Sequence, residues 1–337
     1  MSATRGSLSA GPTMICCGLR PKRAQQSSVH IDAPDGEPER GESLITEFTV
    51  VIPAYNSAGT INRAVESAFA VGANQVIVVD DGSSDDTSQK AGKIASLVIR
   101  QDNAGAAEAR RVGVKACTTE FVVMLDADDR LLPDGVQRSL EMLSSQRLAT
   151  AAFGVTVGVT ARGTEKNFRQ WDQEITTQAL LKVGYSPCPP SAFVWRRAAL
   201  MEAMFAGPPA VWPKFAEDYE VLIRVSMVGP IVSHTETSLV YSLDGGKSMK
   251  EPINSLIASE SIRRHYGSLL SLPVKTRTDR QLKSRATIRV AQSIAPNGFT
   301  GTWITLVVKS FVLDPGFVMQ MISKALMLRM KQHGGRL

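Results

Sequence analysis

"FVVMLDADDR", residues 121–130, decides how the rest of the chain is read. Phe121 to Leu125 are apolar without a break, and Asp126, Asp128 and Asp129 follow at once. A short apolar run that ends in polar residues reads as a buried strand stopping at a loop. Carboxylates this close repel one another, and a buried one without a partner is costly. Something positive belongs among them: a basic side chain, solvent at a loop, or a metal ion.

The same grammar recurs upstream. "EFTVVIPAYN" gives a β-branched strand over Thr49–Ile52 that halts at Pro53. In "SAGTINRAVESAFAVG", Ile61, Ala64, Val65, Ala68 and Phe69 fall at helical spacing, and Gly72 closes the helix. "QVIVVDDGSSDDT" is a second strand ending in acids, with Ser83, Ser84 and Asp85 suited to cap the next helix. "SQKAGKIA" reads as helix, "LVIRQ" as strand, and "NAGAAEARRVGVKAC" as loop then helix. The alternation predicts a parallel sheet covered by helices on both faces. In such sheets ligands bind beyond the carboxyl ends of the strands. Three strands here end in polar groups: Asn56, the pair Asp80–Asp81, and the Asp126–Asp129 cluster. Beyond Pro133 strands and helices alternate less regularly, and from about Pro252 the pattern is helical and basic.

The bulk composition narrows the class. The 337 residues are 43% hydrophobic, enough for one large domain or two small ones. No apolar run reaches the roughly 18–20 residues of a membrane span. The N-terminal stretch lacks the apolar centre of a secretory signal, so the protein is read as cytoplasmic. Residues 1–45 are rich in Ser, Gly, Pro, Arg and Gln and read as a disordered leader. Cys16, Cys17, Cys117 and Cys188 show no disulfide framework or metal-ligand spacing. The formal charge of +6 sits in short clusters that look spread along the chain, and aromatics are 6%, which argues against a nucleic-acid partner.

"TVVIPAYN", "VIVVDDGSSDDT", "NAGAAEARRVG", "FVVMLDADD" and "AEDYEVLIRV" occur in the order and spacing of the family 2 inverting glycosyltransferases, which the chain resembles over roughly residues 47–250. The resemblance implies a GT-A fold, α/β and Rossmann-like, with a mostly parallel sheet flanked by helices. It implies a catalytic domain over 46–250, with a nucleotide-sugar half (46–130) and an acceptor half (131–250). A helical C-terminal extension would fill 251–337. The implied donor is a nucleotide-diphospho-sugar, UDP-sugars being preferred as the commonest in the family. The implied acceptor is a glycan or a lipid-linked intermediate, and the implied cofactor is Mn²⁺ or Mg²⁺.

Site residues follow by matching motifs. Asp126-Ala127-Asp128 is similar to the family's DxD motif, with both carboxylates on one side. Asp128 is then the direct metal ligand, Asp126 a ribose or metal-shell contact, and Asp129 a cap for the next turn. Pro53, Ala54 and Tyr55 would line the nucleotide, and Asp81 would accept a hydrogen bond from the base, while Asp80 shapes the turn. Asn103 and Gly105 would make a tight loop there, and Arg110 would face the nucleotide. Arg111 reads as a solvated surface charge. Asp218 would be the general base and Glu217 its acceptor-site partner; both also stand where a helix N-terminus favours anions. "YSLDGGKSMK" resembles the loop that assists the departing diphosphate. It departs from the common pattern at Ser242 and Asp244, which leaves Asp244 as a metal-shell oxygen and Lys247 and Ser248 as diphosphate contacts. Trp171, Tyr185, Trp195, Trp212 and Tyr219 are candidates for sugar stacking, most of them core residues, with Trp212 favoured. His234 reads as structural. The C-terminal helices either pack on the catalytic domain, which is preferred, or lie on an anionic membrane surface.

Three other readings compete. A nucleotidyltransferase would bring a Gly-rich loop with a basic residue after the first strand, and "IPAYNSAGT" has none. A dinucleotide-dependent dehydrogenase would show G-x-G-x-x-G there. A sugar-nucleotide binder without catalysis is disfavoured by the intact Asp126/Asp128 and Glu217/Asp218 pairs.

Overall fold

The computed structural model describes residues 46–168, 171, 174–243, 251–294 and 300–323. The leader, Cys16 and Cys17, the candidates Asp244, Lys247 and Ser248, and the basic end of the chain from 324 lie outside the described residues.

The first half follows the predicted alternation. Strands β1 (Phe48–Ala54), β2 (Gln75–Asp81), β3 (Leu97–Gln101) and β4 (Phe121–Met124) lie in the order β3-β2-β1-β4, all parallel. Helix α1 (Ile61–Ala70) links β1 to β2 and buries Ile61, Ala64, Val65 and Ala68. Helix α2 (Thr87–Ala91) is shorter than its helical pattern suggests. Helix α3 (Ala106–Ala116) lies so close to the sheet that a Cβ on Gly113 would sit 2.2 Å from a Val51 methyl. All seven residues of β1 are buried, so both faces of this part of the sheet are covered.

Beyond β4 the sheet becomes mixed. Helix α4 (Pro133–Ser145) begins with proline, whose missing N–H costs nothing in the first turn. Strands β5 (Arg130–Leu131), β6 (Ala151–Val159), β7 (Glu165–Asn167), β8 (Phe193–Arg196) and β9 (Ile231–Ser242) complete the order β3-β2-β1-β4-β8-β6-β9-β5, with β7 on β6. β8 runs antiparallel to both β4 and β6, while β6 and β9 are parallel across two register shifts. Helices α5 (Thr177–Val183), α6 (Arg197–Met201) and α7 (Glu217–Val228) cover this half.

Helix α8 (Pro252–Leu269) belongs to the main core, where Ile262 and Tyr266 are fully buried. Helices α9 (Asp279–Ile294) and α10 (Gly301–Leu313) follow, held together by Ser284 and Ser310, whose hydroxyls lie 2.7 Å apart. Trp195 and Tyr219 are core residues, as expected of most of the aromatic candidates. Cys117 and Cys188 are buried free thiols.

Candidate active site

The strand ends build the site. After β1, Asn56 adopts a left-handed conformation (φ 49°), and its loop is tied to the loop after β2. Asn56 N–H donates to Ser83 Oγ (2.9 Å), Ser57 N–H to Thr87 Oγ1 (2.7 Å) and Ala58 N–H to Asp85 Oδ2 (3.0 Å). Ser83 thus joins two loops rather than capping α2, whereas Asp85 both joins them and accepts the N–H of Thr87 (3.0 Å), the first residue of α2. Pro53 and Ala54 are buried at the end of β1, and the Tyr55 ring is 47% exposed beside them.

Both acids at the end of β2 are occupied by the protein. Asp80, fully buried, accepts from Ser83 N–H (3.0 Å) and pairs with Arg100 (2.6 Å). The Asp81 carboxylate accepts from Gln101 Nε2, Ala104 N–H and Gly105 N–H, each at 2.8 Å. A carboxylate offers about four acceptor directions, so one remains for a ligand. Gly105 starts α3 at φ 93°, a conformation that costs glycine little. Asn103 stands exposed in the same loop.

The positive partner that the β4 acids require is Arg110. Its buried guanidinium reaches from α3 to Asp126 Oδ1 (2.6 Å) and Glu217 Oε1 (3.0 Å). Burial works against its charge, and Asp126, Glu217 and Asp218 more than offset that, so its pKa rises. Asp126 and Asp128 lie in a turn just beyond β4, both partly exposed, with Ala127 buried between them. The Asp128 carboxylate has no side-chain partner among the described residues. Burial and the neighbouring Asp126 push its pKa up, against its own backbone N–H and Arg63, which donates to its backbone carbonyl.

Asp129 does not cap the turn that follows. It is fully buried and accepts from Ser191 Oγ (2.9 Å) and Ser242 N–H (2.9 Å). It therefore fastens the acidic turn to the end of β9 and to the segment entering β8. Burial and the charges of Asp126 and Asp128 push it up to about 8. Ser191 also accepts the Asp126 N–H (3.1 Å). The sequence reading missed Ser191, because a serine between prolines and a strand carries no local signal of its own.

Glu217 and Asp218 open α7. Neither makes a side-chain cap, and Ala216, the N-cap, is left-handed at φ 61°. Burial and the Glu217 charge push Asp218 up to about 6 against the pull of Arg110. Trp212 lines the same cavity as Arg110, Glu217 and Asp218. Its own φ of 41° is an outlier for a bulky residue. The strained loop is held by Glu220, fully buried, which accepts from Val211 N–H and Trp212 N–H (2.7 Å each) and from Tyr266 Oη (2.8 Å). Glu220 was also missed, although its place one turn from Arg224 on the inner side of α7 was visible in the sequence.

Arg111 departs from its reading as a solvated charge. It pairs with Glu108 (3.1 Å), donates to the Met204 carbonyl (2.8 Å) and lies over the rings of Phe205 and Trp212. Trp171 meets Tyr185 edge-on, and neither ring lines the cavity. His234 is hydrogen-bonded to Ser139 (2.8 Å), in keeping with a structural role.

Among the described residues, no three His, Cys, Asp or Glu side chains form a group able to hold a metal ion. Asp126 and Asp128 alone offer two carboxylates. Mg²⁺ is commonly held by one or two carboxylates plus substrate phosphates, and carboxylates also suit Mn²⁺. The donor set fits an ion that arrives with a diphosphate and does not fit one held by these side chains alone.

Comparison with known proteins gives a consistent result. A model of glycosyl transferase family 2 matches residues 49–203. The succinoglycan biosynthesis protein ExoO of Rhizobium meliloti is 39% identical over 103 residues, 29% of this chain and 30% of that protein. Chondroitin synthase of Escherichia coli is 25% identical over 247 residues, 66% of this chain and 34% of the synthase. The chain thus spans about a third of the length of each of these two relatives. The crystal structure of S. aureus TarS 1–349 in complex with UDP-GlcNAc superposes with a TM-score of 0.52 at 20% identity, covering 81% of this chain and 82% of that one, which shows a shared fold. Residues 49–203, which carry the first four of the sequence motifs, thus match glycosyl transferase family 2, and the sheet that gathers them shares its fold with TarS.

Proposed function

We propose that the protein is an inverting, metal-dependent glycosyltransferase that moves a sugar from a nucleotide-diphospho-sugar, preferably a UDP-sugar, to a glycan or lipid-linked acceptor in polysaccharide or glycoconjugate assembly. One observation carries the reading: Arg110 joins Asp126 beyond β4 to Glu217 at the start of α7. A donor-side and an acceptor-side carboxylate then meet at one guanidinium, as in-line displacement at a sugar carbon needs.

In this reading Asp218 takes the proton of the attacking hydroxyl. An acid held near 6 is ionised at neutral pH and still basic enough to accept a proton. Glu217 and Arg110 orient it and balance its charge. Trp212, on the cavity wall, would contact the acceptor. Tyr55, exposed just beyond β1, would stack on the base, and Asp81 would accept from a base N–H. A divalent ion, when bound with the donor, neutralises charge developing on the departing diphosphate. Asp128 and Asp126 would hold it, and Asp244, Lys247 and Ser248 remain sequence-based candidates for the same task.

The names of the relatives support the substrate class. Succinoglycan and chondroitin are polysaccharides, and TarS was crystallised with UDP-GlcNAc and with UDP. Calorimetric titration with UDP and GDP, with Mn²⁺ and with chelator, is the test. The expected result is metal-dependent binding of one nucleotide, lost in Asp128→Ala. Binding that survives chelator and that substitution would remove the metal from the proposal. No binding of either nucleotide would favour a relative without catalysis.

A further inference from the structure

The positive charge of this protein is segregated. Residues 279–337 contain nine Lys and Arg against two acids, a net +7. The whole chain is +6, so the preceding 278 residues carry −1. The apparent spread of the excess along the sequence is thereby corrected.

Within that segment, α10 exposes apolar side chains. In α10 the only buried residue is Ser310. Ile304 (53% exposed), Val308 (56%), Phe311 (42%) and Val312 (61%) recur at helical spacing on the outer face, and Met319 and Ile322 are exposed just beyond. The inner face is fixed to α9 by Ser284 and Ser310, by Arg280 donating to the Val312 carbonyl, and by Arg285 pairing with Asp314 (3.0 Å). Soluble monomers rarely leave such a patch in water. On α9, Arg280 and Lys283 are exposed, and Lys309 is exposed on α10 itself.

We propose that the outer face of α10, with the exposed cations Arg280, Lys283 and Lys309, is a docking surface for an anionic lipid bilayer. Charge selects this occupant over a second copy of the chain. Two copies meeting through this face would bring the exposed Arg280, Lys283 and Lys309 of each together, whereas anionic headgroups attract them. The helix lies on the bilayer and does not cross it. Thirteen residues span about 20 Å, short of the roughly 30 Å hydrocarbon core, and none of the described helices is long and apolar enough to cross. The surface does not depend on the transferase reading and would stand without it.

Vesicle co-sedimentation of the full chain tests this, using phosphatidylcholine vesicles with and without roughly 30 mol% phosphatidylglycerol. The chain should pellet with the anionic vesicles and at least about tenfold less with pure phosphatidylcholine. Val308→Ser combined with Phe311→Ser should weaken binding by about tenfold or more, because two buried side chains are lost. Lys283→Glu combined with Lys309→Glu should weaken it and reduce its salt sensitivity. All four positions are exposed or half-exposed, and unchanged circular dichroism confirms that each variant is folded. Absence of binding to anionic vesicles overturns the proposal. So does a concentration-dependent dimer, seen by light scattering, that the serine variant abolishes while vesicle binding persists.

Discussion

Two acidic clusters stand at one edge of the same sheet and are treated in opposite ways. At the end of β2, Asp80 and Asp81 together accept five hydrogen bonds from neighbouring groups. Beyond β4 and at the start of α7, Asp126 and Glu217 pair with one guanidinium that also attracts Asp218, and Asp128 has no side-chain partner among the described residues. The β2 acids spend their charge on holding loops. The β4 and α7 acids keep theirs in reserve, and their pKa shifts record the strain: Asp128 and Asp218 are both pushed up. Residue type and place on the sheet do not separate structure from chemistry here; the number of N–H donors around each carboxylate does.

The sharpest way to break this contrast is Asp218→Asn. If Asp218 is the base, kcat falls about 10²- to 10⁴-fold while nucleotide binding stays close to normal. Stability should move the other way. The folded pKa is about 6 against an ordinary value of 3.8, so the folded state holds the extra proton between these values. Stability of the parent therefore declines as pH rises from about 4 through 6 and levels off above. The asparagine variant lacks that decline and melts higher at pH 8. The parent's kcat/KM should rise through pH 6 and reach a plateau. Near-normal turnover in the variant would place the base elsewhere.

Asp81→Ala probes the other cluster. It strands the Ala104 and Gly105 N–H groups and the Gln101 amide, at a cost of about 1–3 kcal/mol. The expected signature is a lower melting temperature with weaker nucleotide binding, because the loop carrying Asn103 loses its anchor. A variant that melts normally yet fails to bind nucleotide would show that Asp81 acts on the ligand alone.

The contrast also marks what the sequence could say. The parallel half of the sheet was readable because each strand is a continuous apolar run and each helix repeats at its own period. The acids of the β4 turn were readable because Asp126 and Asp128 flank a single alanine after such a run. Nothing local says which acid will find donors. Asp81 meets its three through residues 101–105, and Asp129 meets its two through Ser191 and Ser242, contacts that exist only after the sheet has assembled. The mixed order beyond β4 was unreadable for the same reason. β8 pairs with β4 and β6 on both sides by tertiary fit rather than by its four residues. Arg111 was misread because helical spacing gives its direction but not the rings of Phe205 and Trp212 that meet it there.

The smallest expected effect lies farthest from the chemistry. Tyr266, on α8, donates to Glu220 and accepts from Arg224 Nη1 (2.8 Å each), and Glu220 in turn holds the backbone of Val211 and Trp212. Tyr266→Phe removes one hydroxyl from a fully buried network but leaves Glu220 both backbone partners and Arg224 the Pro208 carbonyl. One hydrogen bond of this kind is worth about 0.5–1.5 kcal/mol. If that bond keeps the strained Trp212 backbone in place, amide exchange at Val211 and Trp212 quickens about two- to tenfold, while exchange in β1 and β2 is unchanged. Unchanged exchange at 211 and 212 would mean that Glu220 holds the loop unaided. The helical extension would then support the site through packing alone, as the burial of Ile262 and Tyr266 in the main core already allows.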